Sequence, residues 1–191
     1  MNLENELGTV RSKQEVNVLV RWVGKDKTRF KQLMTCFLQD DEELVRRAAW
    51  VLGHCVEAYP RLMQPWLKPL LKKMRRPGAH CAIKRNGVRI LQFVNIPRKL
   101  QGTVTNLCFD YLTSMDEPIA VRTFSMTVLS NIAEHAPELK KELKLTVRQL
   151  LPYSTAAFRA RAKKVLKKKE YDKELMRTDE LWMRGQKTDY F

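Results

Sequence analysis

Four stretches of this chain align with one another. They are Val45-Arg46-Arg47-Ala48-Ala49-Trp50-Val51-Leu52, Ile83-Lys84-Arg85-Asn86-Gly87-Val88-Arg89-Ile90, Val121-Arg122-Thr123-Phe124-Ser125-Met126-Thr127-Val128 and Phe158-Arg159-Ala160-Arg161-Ala162-Lys163-Lys164-Val165. Each begins with a large apolar residue followed by a base. The fifth residue is small (Ala49, Gly87, Ser125, Ala162) and the eighth is Leu or β-branched. The starts are 38, 38 and 37 residues apart. A fixed period of this length belongs to stacked helix pairs, none of which buries its apolar face alone.

Prolines punctuate the repeat at Pro60, Pro97 and Pro137. Proline ends a helix but suits the first turn of the next one. The first helices are expected over 30–38, 62–74, 100–112 and 139–151, and the second helices over 42–58, 81–94, 119–135 and 156–169. Pro65 and Pro69 predict a kink or a late start in the second pair. Val16, Leu19, Val20 and Val23 share one helical face, which predicts a capping helix over 12–23. The expected organisation is a cap over 1–25, repeats over 26–169 and a charged extension over 170–191. In that extension Leu181, Trp182 and Met183 are expected to fold back on the body.

At 100° per residue, positions one, five, eight and twelve of each second helix lie within about 60° of one another. The buried stripes are then Val45/Ala49/Leu52/Val56, Ile83/Gly87/Ile90/Val94 and Val121/Ser125/Val128/Ile132. Glycine in mid-helix costs up to about 1 kcal/mol against Ala. Gly87 is therefore expected to answer a close helix approach. The fourth copy reaches Lys169 at the twelfth position, as a terminal repeat with a polar outer face requires.

Asp41 to Gly53, with its Asp, Val-Arg, small residues and Leu-Gly, resembles the HEAT-repeat pattern, and Asp116 to Leu129 matches it more weakly. The resemblance covers residues 26–169 and extends to short bacterial HEAT-like proteins. It implies an all-α fold: a short right-handed α-solenoid of about four helix pairs plus the N-terminal capping helix. It also implies ladder pairs between repeats, Asp40 or Asp41 with Arg46 and Asp116 with Arg122. By the same resemblance the second helices line the concave face.

The net charge is +15, and no acidic residue lies between Glu57 and Asp110. That window holds Arg61, Lys68, Lys72, Lys73, Arg75, Arg76, Lys84, Arg85, Arg89, Arg98 and Lys99. Such a field draws acidic protein surfaces and polyanions. Arg85 and Arg89 share one helix face, and forked guanidinium donors suit carboxylate or phosphate. With Arg46, Lys84 and Arg122 they form the candidate anion- and partner-binding set. A solvated helix face is the competing reading, and for the row Arg46, Lys84, Arg122 and Arg159 a structural ladder is favoured. The functional expectation is a non-enzymatic scaffold for a protein partner, an acidic one on charge grounds. The alternative is nucleic-acid binding by the basic second repeat.

No nucleotide-binding or hydrolase motif occurs, and no small-molecule ligand, catalytic residue or cofactor is expected. Adjacent residues such as His54-Cys55 and His80-Cys81 point about 100° apart on a helix, and a closed site needs four converging ligands, so no metal site is expected. HEAT-like glycosylases for alkylated bases hold the lesion with Trp and Asp in a basic groove. Trp50 lies near the groove edge, but repeats two to four carry no Asp on that face, which argues against this activity. A lyase of the fumarase type is excluded by the missing Gly-Ser-Ser-x-Met-Pro loop. Cys36, Cys55, Cys81 and Cys108 lie far apart and are expected to be reduced thiols. Without a signal-like start or a long apolar run, a cytoplasmic, membrane-free protein is expected.

Overall fold

A computed structural model describes residues 2–166. Its described residues form ten α-helices and two 3-10 segments, without a strand. Helix α1 spans Leu3–Thr9, α2 Lys13–Val23, α3 Lys27–Phe37 and α4 Glu42–Ala58. A 3-10 segment, Pro60–Trp66, leads into α5 (Leu67–Met74), followed by α6 (Cys81–Leu91) and α7 (Arg98–Thr113). Helix α8 (Ile119–Ile132) ends in a 3-10 turn over Ala133–His135, before α9 (Pro137–Leu150) and α10 (Ala156–Val165). The helices expected from the repeat are present in order, and α1 adds a helix that the apolar spacing did not reveal.

Local chemistry explains the boundaries. Ser12 and Glu15 form a capping box that starts α2, satisfying two N–H groups reciprocally. Asp26 and Asp41 accept from first-turn amides of α3 and α4. Gly24, at φ 48°, takes the conformation that ends α2 and that L side chains avoid. Pro65 and Pro69 produce the late start expected of them. The chain runs as 3-10 turns until Leu67, and Pro69 then falls at the third position of α5, where a helix amide has no intrahelical acceptor.

The chain divides into two compact units, residues 1–104 and residues 105 onward, the division falling within α7. In the first unit α4 is central and packs on α1, α2, α3 and α6, and α5 packs on α6. Phe30, Leu33, Phe37, Val45, Leu52, Val56, Met63, Leu70, Met74 and Ile83 are fully or almost fully buried. In the second unit α8 packs on α9 and α10, burying Val121, Val128, Leu143, Val147, Phe158 and Ala162. The stripe residues of the second helices are buried throughout, except Ile132, which is half-buried.

Gly87 is a site of close approach. A Cβ built there would stand 2.4 Å from Met74 Sδ and 3.0 Å from Met74 Cγ. The partner is the first helix of the same pair. A bare backbone in α6 makes room for a buried methionine of α5.

Candidate interaction surfaces

Helices α4 and α6 lie side by side in the first unit. His80 Nε2 stands 3.3 Å from Glu42 Oε2 at one end. Toward the other end the Arg89 guanidinium lies over Gly53, within 3.8 Å of where a Cβ would sit, and its Nη2 is 3.5 Å from Glu57 Oε1. The two helices thus run in the same direction. Arg85, one turn before Arg89, falls level with the α4 turn that carries Trp50. Trp50 is 37% exposed, and Arg46, one turn before it, is exposed as well. The exposed core of this face is Arg46, Trp50 and Arg85, and Lys84, next to Arg85 in the chain, is half-buried.

Other residues of the candidate set are placed differently. Arg89 is held by Glu57, which itself stands 3.7 Å from His54 Nδ1. Its charge is partly neutralised. Arg122, expected to flank the groove, is only 6% exposed. Its Nε donates to the Leu112 carbonyl at 3.1 Å, and its guanidinium sits 5.3 Å from the Phe158 ring centroid. Burial disfavours the charged form and lowers its pKa. Arg122 therefore fastens α8 to the end of α7 and to α10, because only a long side chain reaches both. Its burial departs from the groove-flanking position expected of it.

The ladder pairs take another form. Asp40 accepts from Lys73 Nζ at 2.5 Å, with Arg76 3.4 Å away. The Lys73 ammonium, then Arg76, holds the Asp40 carboxyl below its ordinary 3.8. Asp41 is spent on capping α4, accepting from Leu44 N. The inter-repeat contact thus runs from Asp40 to α5 and the turn after it, instead of to Arg46. Arg159 donates its Nε to Ser154 Oγ at 3.4 Å, a local contact. Asn86, poorly suited to mid-helix, donates to the Ala82 carbonyl one turn back at 2.8 Å.

A second surface escaped the repeat-based reading. A groove of about 890 Å³ lies along α5, bounded by Leu38 after α3 and by Leu100 and Thr103 of α7. Leu38 and Leu100, both half-buried, join Leu71 and Pro69 in its lining. Lys68, Lys72 and Arg75 also line it, and all three are exposed. They stand at i, i+4 and i+7, one face of α5. Lys73 and Arg76 also border the groove, committed to Asp40. The signal was present as three helically spaced bases in the acid-free window. The repeat profile drew attention to the second helices instead.

The cysteines show no metal-site geometry. Among the described residues no cluster of three or more His, Cys, Asp or Glu side chains is placed to hold a metal. His80 is spent as the N-cap of α6, its Nδ1 accepting from Ala82 N at 3.2 Å. Cys36, Cys55 and Cys108 are buried and Cys81 is exposed. Burial pushes the Cys55 and Cys108 thiols up to about 12. No helix among the described residues is long and apolar enough to cross a membrane. The expected contacts of Leu181, Trp182 and Met183 lie outside the described residues.

Helices at a period near 38 residues, small residues on their buried faces and capped turns between them define an all-α helical repeat protein. The HEAT repeat domain model matches residues 3–169, and the chain belongs to the HEAT-repeat family. Its members are helical repeat scaffolds that commonly engage proteins. No curated protein and no solved structure matches the chain.

Proposed function

We propose that this chain is a non-enzymatic scaffold that binds an acidic protein surface on its α4–α6 face. The supporting observation is the exposure of Trp50 on α4, with exposed Arg46 one turn before it and exposed Arg85 on the adjoining α6. Trp and Arg are the residue types that concentrate binding energy at protein interfaces. Arg89 orients on Glu57 at the edge. The Glu57 carboxylate also favours a protein over nucleic acid here. A phosphate backbone is served by an unbroken row of cations, and this row loses Arg89 in part to Glu57 and Arg122 to burial.

A photo-reactive residue at position 50 of the full chain tests this, followed by mass spectrometry of the cross-linked peptides after nuclease treatment of the lysate. Cross-links to one acidic protein segment are expected. They should be lost when Arg46 and Arg85 are both replaced by Ala. Duplex DNA should bind weakly, with a salt dependence that Arg85→Ala leaves nearly unchanged. Cross-links that vanish with nuclease would reverse the ranking in favour of nucleic acid. So would tight DNA binding whose log–log salt slope, about −0.9 per phosphate contacted, flattens by about one in Arg85→Ala.

A further inference from the structure

We propose that the groove along α5 is a second docking site, and that its occupant is an acidic amphipathic helix of a partner protein. The surface is distinct from the α4–α6 face: it is lined by the end of α3, by α5 and by the start of α7. Two features of the groove select the occupant. Its floor is apolar, with Leu38, Leu71 and Leu100. Leu71 is 4% exposed, and Leu38 and Leu100 are half-covered by the protein's own atoms. Its rim carries Lys68, Lys72 and Arg75.

The charge on this rim is available to a partner. Asp40, which lies outside the groove lining, is occupied by Lys73 and Arg76. No acidic residue lines the groove. The spacing also suggests the shape of the ligand. Lys68, Lys72 and Arg75 rise over about 10 Å of helix, and a second helix laid alongside repeats with the same 1.5 Å rise. Carboxylates at i, i+4 and i+7 then meet all three cations, while apolar side chains on the adjoining face reach the leucines. This is the helix-in-groove mode of recognition. A nucleic-acid strand would satisfy the cations and leave the leucine floor without a partner.

The test uses the full chain and fluorescence anisotropy at low salt with four labelled probes. One is an amphipathic peptide with Glu at i, i+4 and i+7 and Leu on the adjacent face. The second carries Lys in place of those Glu residues, the third Ser in place of Leu, and the fourth is oligo(dT). The Glu/Leu peptide is expected to bind tightest. The triple variant Lys68→Glu, Lys72→Glu, Arg75→Glu should weaken it at least about tenfold, since each exposed pair contributes roughly a factor of two and reversal adds repulsion. The neutral variant Lys68→Gln, Lys72→Gln, Arg75→Gln should weaken it by a smaller factor and serves if charge reversal disturbs folding. Replacing Trp50 and Arg85 by Ala should leave this binding unchanged, which separates the site from the α4–α6 face.

Four results would overturn the proposal. They are failure of the Glu/Leu peptide to bind, equal binding of the Glu and Lys peptides, tighter binding of oligo(dT), or undiminished peptide binding to both triple variants with wild-type helicity.

Discussion

Replacing Gly87 by Ala sets two known effects against each other. Alanine is the better helix former, by about 1 kcal/mol. On an open helix face the substitution would stabilise. At Gly87 the new methyl carbon would stand 2.4 Å from Met74 Sδ, 2.9 Å from Cε and 3.0 Å from Cγ. Three atoms of one side chain are too close, including one near its base, so rotating the tip alone gives no relief. Met74 is 1% exposed, so it has no route to solvent. Overpacking of this kind costs about 1–3 kcal/mol. Overpacking should therefore prevail, leaving Gly87→Ala destabilised by roughly 1 kcal/mol. Gly87→Leu should lie at the upper end of the overpacking range or above it.

The assay is chemical denaturation followed by tryptophan fluorescence. Trp22, Trp50 and Trp66 all lie in the unit that contains the contact. The transition midpoint should fall at unchanged slope, since the surface exposed on unfolding is the same. Met74→Ala alone should cost about 2–5 kcal/mol through its cavity. The double variant should cost less than the sum, by about 0.5 kcal/mol or more, because the new methyl occupies part of that cavity. A stabilised Gly87→Ala protein, or strict additivity with Met74→Ala, would refute the close-approach argument.

Arg122→Ala should destabilise by about 1–3 kcal/mol in thermal melts, because it leaves the buried Leu112 carbonyl without its donor. A melt within experimental error of wild type would return Arg122 to the set of solvated cations. Under native conditions a thiol reagent at neutral pH should modify Cys81 first, with Cys55 and Cys108 reacting only on unfolding. Cys81 is exposed, whereas burial raises the other two thiols to about 12 and blocks access. Simultaneous reaction of all four cysteines in the folded chain would contradict this.

Periodicity and punctuation carried the architecture. The 38-residue recurrence, the prolines at 60, 97 and 137 and the small residues at the fifth position specify where helices run and which faces they bury. Such information is local: dihedral limits, capping and a 3.6-residue period act within a few turns of chain. The bounds of α4, the delayed start at Leu67 and the bare backbone at Gly87 were all legible for that reason. Helix α1 was not, because seven residues with two buried leucines, Leu3 and Leu7, make too short a period to read. The partners of the charged side chains were not legible either. Lys and Arg carry long flexible stems, so their contacts depend on what the folded chain brings within reach. Asp40 found Lys73 and Arg76 instead of Arg46, Arg122 turned inward to a carbonyl, and Arg89 met Glu57 across the helix seam. The groove beside α5 belongs to the same class. Leu38, Leu71 and Leu100 are far apart in the chain, and only packing places them under one rim of cations.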